Sequence, residues 1–288
     1  MTLDRRFIEL YDDYTHRPLA RRVFLERLMV LAGSAAAAEA VLGVLEPNYA
    51  RAAVVAPDDA RIVTRKVTFD GPEGQVVGYE ARPKDGARHP AVIVIHENRG
   101  LNPHIEDVAR HLATDGILAV GVDFLQPLGG TPADPDAARA LFAKVTPDMM
   151  ASQARVVADA LRKDPRTTGK VGAVGFCWGG GMVSQLAIRP GIIDAGVSYY
   201  GVAPNTADVA KINAPLVLHY AGLDTRVNAT RPAYEEALKG AGVPHSIYVY
   251  EGVDHAFNND TSAERYNADA AKLAWGRTVD FFKQTLAS

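Results

Sequence analysis

The chain has 288 residues, 48% of them hydrophobic and 23% charged, with a formal net charge of −3. That balance suits a large α/β domain with a sizeable core, and it excludes a mostly disordered chain, a membrane bundle, or a nucleic-acid partner drawn by basic excess. A single cysteine, Cys177, excludes an internal disulfide and a multi-cysteine zinc site but leaves one reactive thiol.

The chain opens with a polar lead of about twenty residues. Arg21-Arg22, Phe24-Leu25, an alanine-rich stretch and Ala50-Arg51-Ala52 follow it and resemble a twin-arginine export signal with a small-residue cleavage site. Glu26 and Glu39 interrupt the apolar run, and Phe24, Leu28, Leu31 and Ala35 recur at helical spacing. Residues 1–52 are therefore expected to form a helical extension in a cytoplasmic protein, with export to the periplasm as the alternative. No uncharged apolar run is long enough to span a membrane.

"AVVAPDDA" (53–60) reads as a linker into a second unit, 53–288. "RIVTRKVTFD" and "QVVGYEARP" alternate apolar and polar residues around "GPEG", predicting an antiparallel hairpin. Continuous apolar runs then predict buried strands at 91–95, 117–124, 170–176, 195–201, 215–222 and 245–252. Helical patterns fall between them at 103–115, 147–163, 179–188, 230–241 and 262–285. The alternation implies a doubly wound, mostly parallel sheet with helices on both faces.

In such sheets chemistry gathers past the carboxyl ends of the strands. "VGAVGFCWGGG" (171–181) places Cys177 in a Gly-x-nucleophile-x-Gly turn between strand and helix, where the helix N-terminus favours thiolate. Asp224 follows the strand "PLVLHYAG", and His255 follows "HSIYVYEG". The order nucleophile, acid, histidine assigns His255 as general base and acid and Asp224 as its orienter, in preference to the adjacent Asp254. After "AVIVI" comes "HENRG", so the backbone N–H groups of Asn98 and Trp178 are the candidate oxyanion donors. Trp178, Phe124, Phe257 and Tyr200 could line a pocket or simply fill the core. His16, His89, His104, His111 and His245 are expected on the surface or along helices, and His219 in the core.

At "VIVIHENRG", "GAVGFCWGGG", "YAGLDTRV" and "GVDHAFNN" the chain resembles the dienelactone hydrolase family of the α/β-hydrolase fold, over roughly residues 60–286. The resemblance implies hydrolysis of small esters or lactones by a Cys177–Asp224–His255 triad, with no cofactor and no metal. It also implies that Glu97 pairs with the resting thiol and leaves it when substrate arrives. Enzymes of this kind that act on dienelactone hold its carboxylate with two arginines, which the corresponding "FLQPLGG" and "AFNND" lack. Arg99, Arg226 or Arg265 could substitute, with Arg99 and Phe257 as the substrate-binding candidates. The expected partner is a small ester or lactone, with neither nucleic acid nor a membrane span, and the extension could cap the site or build a homodimer. A non-catalytic binding domain and a redox-active cysteine protein are the alternatives.

Overall fold

The computed structural model describes residues 3–17, 19–49 and 53–287. Its strands are β1 (Ile62–Gly71), β2 (Gly74–Pro83), β3 (His89–Ile95), β4 (Leu118–Val122), β5 (Thr167–Phe176), β6 (Ala195–Tyr199), β7 (Leu216–Ala221) and β8 (His245–Tyr250). They form one eight-stranded sheet in the order β1-β2-β4-β3-β5-β6-β7-β8. The first two make the expected hairpin, which pairs antiparallel with β4, and every other pairing is parallel. β4, β6 and β7 are buried at every position, as continuous apolar runs require when both faces of a sheet are covered.

The helices are α1 (Arg5–His16), α2 (Arg21–Ala32), α3 (Ala35–Leu45), α4 (Pro103–Thr114), α5 (Pro135–Phe142), α6 (Pro147–Lys163), α7 (Trp178–Ala187), α8 (Thr225–Asn228), α9 (Arg231–Gly240) and α10 (Ala268–Thr285). α4 and α10 cover one face of the sheet, and α6, α7 and α9 cover the other. The last helix starts six residues later than its periodicity suggests, because the Asn267 side chain caps it by accepting from the Ala270 N–H at 3.0 Å.

The N-terminal region departs most from expectation. The polar lead holds a helix of its own, α1, capped by Asp4. α2 and α3 are a pair bent by 112° at Gly33-Ser34, and no single helix among the described residues is long and apolar enough to cross a membrane. Tyr11, Tyr14, Phe24, Leu28, Ala38 and Leu45 give the three helices a small core, in which Tyr14 stacks on Phe24 at 4.2 Å between ring centres. Arg21, the first of the arginine pair, is bound to Asp136 of α5. Ala50-Arg51-Ala52 lies outside the described residues.

α1 lies across the carboxyl end of the sheet. Tyr14 Oη donates to Asp136 at 2.6 Å, Arg139 to the Tyr14 carbonyl at 2.8 Å, and the Asn98 side chain to the Thr15 carbonyl at 2.7 Å. These bonds tie α1 to helix α5 and to the loop after β3.

Candidate active site

β5 ends at Phe176 and α7 begins at Trp178, so Cys177 alone makes the turn, with φ 56° and ψ −113°. Side chains rarely adopt this backbone region, and the strain persists only where the surroundings fix it. Two glycines create the necessary clearance. A Cβ on Gly175 would collide with the Gly179 carbonyl, and one on Gly179 with the carbonyls of Ile95 and His96. Gly179→Ala is therefore expected to destabilise the protein by about 3 kcal/mol or more, since backbone in the sheet cannot yield as a side chain can. Urea unfolding would measure this, and an unchanged midpoint would mean that the elbow is looser than its geometry implies.

The sulfur of Cys177 faces two imidazoles. His16 Nε2, at the end of α1, lies 3.2 Å away. His255 belongs to the same cluster, in which one donor atom of each of the three residues lies within 4.8 Å of the others. His255 comes from the loop after β8, and its Nδ1 donates to Asp224 Oδ2 at 2.5 Å. Asp224 Oδ1 in turn accepts from the Val227 N–H at 3.0 Å, which caps α8 and fixes the carboxylate. Asp254 instead meets Arg5 of α1 at 3.4 Å.

The environments of the two imidazoles differ. Burial, His255 and Arg226 hold His16 well below the ordinary histidine range, so its ring is neutral. His16 Nδ1 lies 2.9 Å from the Asp12 carbonyl, which can only accept. Nδ1 therefore carries the hydrogen, and Nε2 accepts the thiol proton. For His255, burial works downward, but a charged Cys177 and the Asp224 carboxylate together raise it to about 10. An imidazole so placed can hold a proton taken from the thiol.

Glu97 is buried, and its Oε2 accepts from the Asn259 side chain at 3.0 Å. The hydrogen-bond partner of the thiol is thus His16, where the resemblance implied Glu97. His16 lies along a helix, as expected, but α1 also brings it into the site. His104 is likewise buried, facing Asp260 at 3.3 Å. His219 is in the core, held by Tyr250 and Thr278, and burial pushes it down to about 3. Phe257 packs against Tyr199, Tyr200 and Tyr250 and lines neither cavity that reaches Cys177, so its proposed substrate contact is replaced by a core role. Among the described residues, the N–H groups of Asn98 and Trp178 are taken by no other acceptor.

Two cavities meet at Cys177. The larger, about 730 Å³, is lined by Trp178, Phe142, Met182, Val202, Arg139 and Arg226 among others. It falls in the size range of small-molecule sites. The smaller, about 20 Å³, holds Glu97, Arg99 and Arg265. It has room for about one water, because α1 fills the rest: Tyr11 Oη accepts from Arg99 at 3.3 Å, and Asp12 accepts from Arg265 at 3.3 Å. Sequence reasoning missed Tyr11, Asp12, His16 and Asn259, all of which reach the site through α1 or the loop after His255.

The family model described as the dienelactone hydrolase family matches residues 76–286. A Methylorubrum extorquens protein provisionally named carboxymethylenebutenolidase is 30% identical over 283 residues, covering 93% of this chain and 96% of its own. An Escherichia coli O157:H7 protein with the same provisional name is 32% identical over 248 residues, covering 80% and 90%. Among solved structures, a Klebsiella pneumoniae protein provisionally titled a dienelactone hydrolase superposes with a TM-score of 0.70 at 28% identity, covering 77% of this chain and 99% of that one. A metagenomic protein titled a dienelactone hydrolase-like promiscuous phosphotriesterase shares the fold, with a TM-score of 0.68 at 22% identity, covering 78% and 99%.

Proposed function

This chain belongs to the dienelactone hydrolase family, and from that premise we propose that it hydrolyses small esters or lactones through an acyl-enzyme on Cys177. The observation that carries the reading is the strained Cys177 at a helix N-terminus, facing a His255 that Asp224 holds.

His255 Nε2 takes the thiol proton, and the thiolate adds to the substrate carbonyl carbon. The N–H groups of Asn98 and Trp178 stabilise the oxyanion. The carbon–oxygen bond to the leaving group then breaks, and His255 returns its proton to that oxygen. Water adds to the thioester as His255 takes a proton from it. The carbon–sulfur bond breaks, releasing the acid and restoring the thiol.

In the resting enzyme His16 holds the thiol proton. Rotation about the Cβ–Sγ bond redirects that proton to His255, so a bound substrate need only disfavour the His16 contact. Glu97 stays with Asn259, beside the buried arginines. α1 supplies walls of both cavities.

Substrate occupies the larger cavity, and an anionic substrate group meets Arg226, because Tyr11 and Asp12 already engage Arg99 and Arg265. Arg226→Ala is expected to raise KM several-fold for a carboxylate-bearing ester and to leave a neutral ester of the same size unchanged. Equal effects on the two would remove the assignment. The function itself is tested by quenching the enzyme during turnover of a slowly deacylating p-nitrophenyl ester. An acyl adduct on the peptide containing Cys177 is expected, and turnover without that adduct would overturn the proposal.

A further inference from the structure

Zinc sites in proteins combine thiolate and imidazole donors, and each ligating histidine usually donates its other N–H to a carboxylate or a backbone carbonyl. The cluster at Cys177 has both features. His16 Nδ1 donates to the Asp12 carbonyl at 2.9 Å, and His255 Nδ1 to the Asp224 carboxylate at 2.5 Å. Both rings therefore leave Nε2 as the nitrogen that can ligate a metal. His255 is 2% exposed, and its Nε2 has no hydrogen-bond partner. The rings cross at 70° with centres 4.5 Å apart, so they are not stacked face to face.

We propose that His16, Cys177 and His255 form a binding site for a thiophilic divalent transition-metal ion, zinc above all, which silences hydrolysis by occupying its nucleophile and base. The single cysteine, which excludes a multi-cysteine site, is no obstacle to a one-cysteine, two-histidine one. Tetrahedral zinc with bonds of about 2.1 Å to nitrogen and about 2.3 Å to sulfur needs donor separations of about 3.4–3.6 Å. His16 Nε2 and Cys177 Sγ stand at 3.2 Å, and no pair in the cluster exceeds 4.8 Å. His16 is the last residue of α1, so its ring can adjust by a few tenths of an ångström without disturbing the elbow.

The charges also fit. Cys177 gives up its proton to solvent, the sulfur bonds to the metal, and the thiolate with Asp224 balances the two positive charges. The larger cavity opens beside Cys177 and His16, leaving a fourth position for water. Hard ions such as magnesium prefer oxygen ligands and should not compete.

The proposal rests on the geometry of the donors and not on hydrolysis, so its test reads binding directly. The chelator-treated full-length chain would be titrated with Co²⁺, followed by absorption, and then with Zn²⁺ against a chromophoric chelator. The expected result is one ion per chain, a thiolate-to-cobalt charge-transfer band, and release of one proton per zinc. That band should vanish in Cys177→Ala. Losing only an outer partner of a ligand costs roughly 10–100-fold in metal affinity, so His16→Ala and His16→Gln should each lose at least that much. His245→Ala, remote on β8, should bind as the parent does. Absence of the charge-transfer band, or equal affinity in both His16 variants and the parent, would overturn the site. Metal binding by a chain that hydrolyses no ester would sink the hydrolase reading alone. Hydrolysis that saturating zinc leaves untouched would sink the metal site alone.

Discussion

Cys177→Ser is expected to keep the fold and lose roughly a hundredfold or more in kcat on p-nitrophenyl esters, and Cys177→Ala to lose roughly a thousandfold or more. The fold survives because the turn is held by the clearances at Gly175 and Gly179 and by the Cys177 N–H, which donates to the Tyr199 carbonyl at 3.0 Å. None of these depends on the side chain. The chemistry does not survive, because a hydroxyl gives up its proton far less readily than a thiol. His255 and its carboxylate are therefore matched to sulfur, and His16 binds a serine hydroxyl that has no tendency to leave it. The measurement is steady-state hydrolysis, with circular dichroism to verify folding. A serine variant as active as the parent would mean that the thiol is not the tuned nucleophile. Turnover unchanged in both variants would return the non-catalytic and redox alternatives to first place.

The inner parallel strands were legible because burial on both faces leaves long apolar runs such as "AVIVI" and "PLVLHYAG", and the β1–β2 hairpin because its residues alternate. The positions of Cys177, Asp224 and His255 were legible for a related reason. Each lies within five residues of a strand's end, and parallel strands deliver their carboxyl ends to one edge of the sheet. The role of α1 was not legible. Its own periodicity is present, with Ile8, Tyr11, Tyr14 and Thr15 on one buried face, but a period shows which face is buried and not against what. The contact between His16 and Cys177 joins residues 161 positions apart through Tyr14, Thr15 and Arg139, and no local pattern encodes that docking. Glu97 is a different case. The residue lies where the resemblance put it, but Asn259, arriving from the loop after His255, takes its carboxylate.

Asp224→Asn is expected to lower kcat by roughly a hundredfold or more while KM changes little, and Asp254→Asn to do almost nothing. The reason lies in how the side chain is held. Oδ1 of Asp224 accepts from the Val227 N–H, and Oδ2 faces His255 Nδ1. An asparagine at 224 keeps the helix cap only by placing its oxygen on Val227, which turns its NH₂ toward His255. The NH₂ group donates, so Nδ1 must accept, and the ring proton moves to Nε2. The imidazole then meets the thiol with a hydrogen where a lone pair is needed, and it cannot serve as the base. Because the cap is kept, the variant should unfold at nearly the same urea concentration as the parent, which separates a tautomer effect from a folding defect. Asp254 faces Arg5 on α1 and has no contact with the imidazole, so its amide leaves the tautomer alone. If Asp254→Asn lost the activity and Asp224→Asn kept it, His255 would have to turn toward Asp254 during catalysis, and the resting geometry would be a poor guide to the working one.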